Sequence, residues 1–269
     1  MPPRAARRDS TSPEISLTAS RALSVLCAFD DAVPELGVSE IARRLGLSRT
    51  VVQRLVHTLE AHRFLEQDQD SRRYRVGVQA FRIGNLFALG RRFEEAARPE
   101  MDALAARTGF TVYLSVLRGD EMVMTAAAEG RGPIRYYARV GQSLPLHSSA
   151  TGKVALAHLG PERAEELLSR AGMRRITPQT VTDRRALMGQ LAIVRARGHS
   201  VNWEENTPGV ASVAAPILDA RDGLLAVLSI AFATSQAERR QTAALGAQVA
   251  RSAARISALA RVGALARVA

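Results

Sequence analysis

Cysteine occurs once in the 269 residues, at Cys27. That rules out an internal disulfide and any cysteine-rich metal centre. Cys27 sits among Leu23, Val25, Leu26 and Phe29, so it reads as a core residue. The histidines, His57, His62, His147, His158 and His199, show no zinc-binding spacing. No apolar run approaches the ~18 residues that a membrane-spanning helix needs. The start of the chain carries Arg4, Arg7 and Arg8 but no apolar stretch of the kind a secretory leader requires. Residues 1–16 therefore read as a disordered basic arm. Lysine is nearly missing, with Lys153 the single example among 37 basic residues.

Catalytic signatures are missing too. His147-Ser-Ser-Ala-Thr-Gly-Lys153-Val154 has the outline of a phosphate loop. Its first glycine is absent, and Val154 stands where a hydroxyl must hold magnesium. Ser148 and Ser149 have no evident base or orienting acid, and there is no Gly-x-Ser-x-Gly elbow. No catalytic residue, metal ion or cofactor is expected, and no internal repeat is found.

What the chain does have is charge at its ends. The net charge is +11, which suits a polyanionic partner. Residues 1–92 hold 15 arginines against 10 acids, and residues 251–269 hold four arginines and no acid. The middle is nearly neutral. A hydrophobic content of 46% over this length is enough for two domains with their own cores.

Ser39 to Val76 is the most informative stretch. Ser39 can cap a helix whose buried stripe is Ile41, Ala42 and Leu45. Gly46 allows a sharp turn, and Ser48 can cap a second helix that buries Val51, Val52, Leu55 and Leu59. The other face of that helix shows Arg49, Thr50, Gln53, Arg54 and His57, side chains able to reach base edges and phosphates in a major groove. A hairpin follows, with Arg72 and Arg73 near its tip. This pattern predicts a winged helix-turn-helix over 17–76, with DNA contacts from Ser48, Arg49, Thr50, Gln53, Arg54, His57, Arg72 and Arg73. A small helical subdomain with a solvated basic face is the rival reading.

Upstream, residues 18–30 read as an amphipathic helix with Ala22, Leu23, Leu26 and Phe29 inward. Downstream, residues 77–92 form a helix whose Phe81, Leu86, Phe87 and Leu89 are too apolar to stand in water, predicting a linker that pairs with its own copy. The pattern then changes to strands at 111–117, 121–128, 134–140, 210–218 and 224–232. Helices are expected at 95–108, 150–159, 161–171, 182–197 and 235–262. The expected second domain, 93–262, is an antiparallel sheet covered by helices, α+β in class, with a tail at 263–269. The turn Leu144-Pro-Leu-His147-Ser-Ser149 runs into the helix at Ala150, whose first N–H groups can dock a carboxylate. The loop Asn202-Trp-Glu-Glu-Asn206 can close such a pocket.

These motifs resemble the IclR family of transcriptional regulators over about residues 17 to 262. The resemblance is carried by Ser20-Arg-Ala-Leu23 with Leu26 and Phe29, by Ser39-Glu-Ile-Ala-Arg-Arg-Leu-Gly-Leu-Ser48, and by the wing Tyr74-Arg-Val-Gly77. In the second domain it is carried by Leu144-Pro-Leu-His147, Ala150-Thr-Gly-Lys153, Glu204-Glu205 with Pro208-Gly-Val210, and Ala214-Ala-Pro216. It implies a winged helix-turn-helix, a linker helix and a GAF-like effector-binding domain. It also implies a cytoplasmic homodimer, or dimer of dimers, on a palindromic double-stranded operator, repressing or activating catabolic genes in response to a small organic acid. Carried over by position, the effector residues are Ala150, Thr151, Asn202, Ser212, Ser229 and Ala231. Asn202 stands where the family can have an acid, Ser212 where it can have cysteine, and Ala231 where it can have serine. With Trp203 beside them, these departures point to a larger or aromatic acid rather than a two- or three-carbon one. Two alternatives stand beside this reading: a winged-helix protein whose second domain only oligomerises, and a GAF-type enzyme.

Overall fold

The computed structural model describes residues 15–30, 33–87, 90–132 and 138–261. The basic arm up to residue 14, most of the strand expected at 134–140 and the tail beyond 261 lie outside the described residues. So do the side chains of Leu86, Phe87 and Leu89. The chain separates into two compact units, with the division between Phe87 and Ala88.

The first unit runs α1 (Leu17–Leu26), α2 (Val38–Leu45), α3 (Arg49–Ala61), β1 (Leu65–Gln67), β2 (Tyr74–Val76) and α4 (Val78–Phe87). Its core is Val25, Leu36, Ile41, Val52, Leu55, Val56, Leu59, Leu65 and Tyr74. Gly46 ends α2 at φ 64, a left-handed conformation that costs glycine least. Ser48 caps α3 by accepting the Val51 N–H. β1 and β2 form the antiparallel wing, and Leu36 adds a further rung through two backbone hydrogen bonds with Tyr74.

Several local expectations change here. Gly37, not Ser39, is the cap of α2, and the Glu40 carboxylate accepts the Gly37 N–H at 2.8 Å, so Ser39 falls inside the helix. α1 stops at Leu26 rather than residue 30; Val25 is its buried residue, with Ala22, Leu26 and, past the helix end, Phe29 partly buried against the core. Leu23 and Cys27, four apart, share the opposite face and are exposed, so Cys27 is not a core residue. Val56 replaces Val51 in the fully buried set of α3.

The second unit begins with α5 (Gly90–Thr108), which starts earlier than the expected residue 95. It continues with β3 (Thr111–Arg118), β4 (Glu121–Ala128), β5 (Ser143–Leu144), α6 (Ala150–Leu159), α7 (Pro161–Ala171) and α8 (Arg184–Arg197). After these come β6 (Ser200–Trp203), β7 (Val210–Leu218), β8 (Leu224–Ala233) and α9 (Thr242–Arg261). The six strands form one antiparallel sheet in the order β5-β4-β3-β8-β7-β6. Alternation divides its side chains between two cores. Val112, Leu114, Val213, Ile230 and Phe232 face one way, with Met101 and Leu104 of α5 and Val249 and Ile256 of α9. Tyr113, Met124, Ala214 and Ala231 face the other way, with Val154 and Leu156 of α6, Leu168 of α7 and Leu191 of α8.

Ser200–Trp203 is an edge strand rather than part of a loop. Its polar residues had hidden a two-residue alternation in which Ser200 and Asn202 are buried. Asp183 caps α8 by accepting the Ala186 N–H, which moves the helix start past Thr182. α9 starts at Thr242, after a single 3₁₀ turn at Arg239–Gln241, rather than near residue 235. Among the described residues no helix is long and apolar enough to cross a membrane.

Candidate functional site: a basic recognition face and a neutral pocket

In the first unit, the turn at Gly46 sets α3 with its apolar stripe on the core. Ser48, Arg49, Thr50, Arg54 and His57 are exposed, and Gln53 is half-buried. Gln53 Nε2 and His57 Nε2 are 2.6 Å apart, so these side chains one turn apart share a hydrogen bond on the exposed face. Thr58 donates its hydroxyl to the Arg54 carbonyl and stays on the helix.

At the wing, the two arginines separate. Arg72 sits at the turn with φ 58 and is exposed, and its carbonyl is held by Gln67 Nε2 at 3.0 Å. Asp68 closes that turn by accepting the Ser71 N–H and hydroxyl. Arg73 turns inward. It donates to Glu40 Oε2 at 2.7 Å and to the Glu35 carbonyl at 2.9 Å. Glu40 therefore caps α2 and anchors the wing with one carboxylate. The Gly37 N–H and then Arg73 hold that carboxyl below the ordinary range.

In the second unit, a pocket opens between the sheet and the first turn of α6. Its floor follows from strand register. Asn202 pairs with Ser212, Ser212 with Ala231 and Ala231 with Thr111, so these residues form one row across β6, β7, β8 and β3. Ser229, opposite Tyr113 and Ala214, belongs to the next row on the same face. The roof is Ser149, Ala150 and Thr151. One wall is Asn206, Thr207 and Val210, and the other is Met124 and Leu144. All six residues carried over from the family motif line this one cavity: Ala150, Thr151, Asn202, Ser212, Ser229 and Ala231.

Ser149 caps α6, its hydroxyl accepting the Gly152 N–H at 3.0 Å. The N–H groups of Ala150 and Thr151 then have no acceptor within the helix, and the positive end of the helix dipole faces the cavity. Polar groups surround it, yet among the described residues no charged side chain lines it. Asn202 is partly committed, since its Oδ1 accepts the Glu205 N–H at 2.8 Å. The cavity is small, about 40 Å³. With one water needing ~10–15 Å³ on this measure, it holds about three.

Tyr113, Met124, Thr207 and Val210 are not among the expected pocket residues, whereas Leu144 and Asn206 belong to the turn and the loop expected to frame it. Tyr113 lies on the expected strand, but only the β3–β8 register places it opposite Ser229. Trp203 is also differently placed. Alternation along β6 sends it to the face opposite Asn202, where it packs with the core of α5 and α9. His147 is buried with its Nε2 against the Arg174 carbonyl, a structural placement. Lys153, within the loop-like motif, is also buried. Its Nζ donates to Glu205 Oε1 at 2.5 Å and Gln190 Oε1 at 2.9 Å. Burial pulls this ammonium below the ordinary lysine range, and Glu205 restores part of the shift.

Comparison with known proteins agrees across the chain. Residues 18–69 match the IclR helix-turn-helix domain, and residues 90–258 match the bacterial transcriptional regulator IclR C-terminal domain. The HTH-type transcriptional regulator XynR of Escherichia coli is 33% identical over 223 residues, 83% of this chain and 88% of that one. The crystal structure of an IclR transcriptional regulator from Alicyclobacillus acidocaldarius has a TM-score of 0.76 at 30% identity, covering 92% of this chain and all of that one. An IclR homologue from Microbacterium hydrocarbonoxydans, complexed with 4-hydroxybenzoate, has a TM-score of 0.75 at 26% identity, covering 90% and 99%. The winged helix-turn-helix, the curled sheet with its helices and these matches together place the chain in the IclR family of DNA-binding transcriptional regulators, which are not enzymes.

Proposed function

We propose that this regulator binds a palindromic operator as a homodimer or dimer of dimers, and that a small organic acid in the α6 pocket controls that binding of catabolic-gene promoters. Arg49, Gln53 and Arg54 on α3 read bases, with Ser48, Thr50 and His57 at the edges of the same face. Arg72 holds phosphate or minor groove. Arg73 acts indirectly, keeping the wing on α2 through Glu40.

The observation that carries the effector reading is the neutral polar pocket at the N-terminus of α6. The Ala150 and Thr151 N–H groups and the hydroxyls of Ser212 and Ser229 are partners for a carboxylate in a site without a formal countercharge. The 4-hydroxybenzoate bound by the Microbacterium hydrocarbonoxydans homologue supports an aromatic acid. At about 40 Å³ the cavity admits such an acid only if its wall moves. That requirement is itself a switch. The ligand favours the widened state by its difference in affinity, and the wall at Asn206 and Thr207 responds.

The test is a thermal-shift screen of organic acids, followed by DNA titration with and without the best hit. Ser229→Leu fills the pocket, abolishes the response and leaves DNA affinity in the absence of acid unchanged. A full response in Ser229→Leu places the site elsewhere.

A further inference from the structure

Trp203 leads to a second cleft. It is the single tryptophan of the chain. With Val201 it occupies the face of the edge strand β6 turned away from Asn202 and the α6 pocket. Beyond that edge, between α8 and the turn before α9, lies a groove of about 250 Å³. On the same measure the α6 pocket is about 40 Å³, so the groove has room for an aromatic ring without rearrangement.

The groove is built in three levels. At its base lies Glu205, only 8% exposed, whose Oε1 takes the Lys153 ammonium. Its other oxygen, Oε2, is buried and has no hydrogen-bond partner among the described residues, so an occupant reaches it only when the carboxylate turns toward the groove. A buried carboxylate oxygen without a donor is costly, and it calls for a donor from an occupant of the groove. Lys153 already balances the charge of Glu205, so a neutral hydroxyl fits there better than a second cation. The wall offers Trp203 and the aliphatic Val201 and Ile193. At the mouth stand Arg197 and Arg239, both exposed and neither ion-paired to a carboxylate among the described residues. Two guanidinium groups in such a position select an anion.

We propose that this groove is a second binding site, for a small aromatic carboxylic acid carrying a hydroxyl at its far end. The ring enters the existing space beside Trp203, the carboxylate meets Arg197 and Arg239, and the hydroxyl donates to Glu205 Oε2 once that carboxylate turns toward the groove. The groove adjoins the α6 pocket through one short loop, because the Glu205 N–H is held by Asn202 of the pocket floor. The two sites nevertheless use different side chains and opposite faces of β6.

Trp203 supplies the readout. Its fluorescence, excited at the red edge, is titrated with para-hydroxyphenylacetate, phenylacetate and phenol on the full chain. The expected result is a saturable change with para-hydroxyphenylacetate that is about ten-fold weaker with either probe lacking one end, since a hydrogen bond to a charged group is worth about that factor. Arg239→Ala, a surface change that leaves folding intact, weakens the titration by a similar factor. Glu205→Gln, checked for folding by circular dichroism, removes the preference for the hydroxyl. Ser229→Leu leaves the titration unchanged. The proposal is overturned if none of the probes changes the fluorescence, or if all three bind alike. It is equally overturned if the signal survives Arg239→Ala and disappears in Ser229→Leu, which assigns the binding to the α6 pocket.

Discussion

Glu100 on α5 shows how one carboxylate can tie the stability of the second unit to pH. It accepts both Arg255 Nε at 2.8 Å and Arg255 Nη2 at 2.6 Å, and the Ser252 hydroxyl at 2.6 Å. Arg255 first, then Ser252 and Arg107, lower its pKa from 4.5 to about 2. A folded-state pKa below the unfolded one contributes stability that is complete above the unfolded value and is lost as pH falls toward the folded one. Glu100→Gln is therefore expected to lower the urea midpoint at neutral pH and to flatten its fall between pH 4.5 and about 2. Midpoints that fall in parallel for both proteins across that range would remove Glu100 from the account. Gly152 makes a second residue-scale case. A Cβ there would lie 2.4 Å from the Leu146 carbonyl oxygen, so α6 packs on the preceding turn only because the side chain is missing. Gly152→Ala is expected to cost on the order of 1–3 kcal/mol, as overpacking does. Denaturant unfolding measures it, and an unchanged midpoint would mean the turn has room to give.

At the scale of elements, the proposed function gives α3 the bases and the wing the backbone. Base contacts discriminate and phosphate contacts do not. Gln53→Ala or Arg54→Ala is expected to narrow the gap between operator and scrambled DNA, each good base contact being worth about 1–3 kcal/mol. Arg72→Ala is expected to weaken both DNAs alike and to reduce the salt slope by about 1. Gel-shift titrations at several salt concentrations decide, and three mutants with wild-type affinity would remove this face from the interface. These elements were the ones most legible in the sequence. Ser48 announces α3, Gly46 announces the turn, and Val210–Leu218 is the strand its own residues suggest. What could not be read depends on partners distant in sequence. Nothing near Arg73 reveals that Glu40, 33 residues away, takes its guanidinium. Nothing near Tyr113 reveals Ser229 opposite it. β6 was obscured because its buried alternate residues, Ser200 and Asn202, are polar and mimic a loop. The pocket residues were legible through family motifs, whereas the size of the cavity depends on packing alone.

At the scale of the whole molecule, apolar surface on the first unit calls for cover. Leu17 and Leu23 on α1 are 63% and 62% exposed, and Phe81 on α4 is 68% exposed. Singly such residues are ordinary, and the proposed self-association would cover them. The double substitution Leu17→Ser with Phe81→Ser is expected to shift the protein to monomer at micromolar concentration and to weaken operator binding. Sizing with light scattering checks the first effect, and a wild-type mass for the mutant would locate self-association elsewhere.

The strand order has a further consequence, in the time domain. The central strand β3 is flanked by β4, which follows at once, and by β8, so that Tyr113 waits for Ser229. A ribosome delivers the chain from its N-terminus at roughly 5–20 residues per second. The helix-turn-helix and its wing are complete by Val76, whereas the sheet closes only once β8 has emerged, more than a hundred residues later. For those seconds the nascent protein carries a finished helix-turn-helix unit whose second unit is still incomplete.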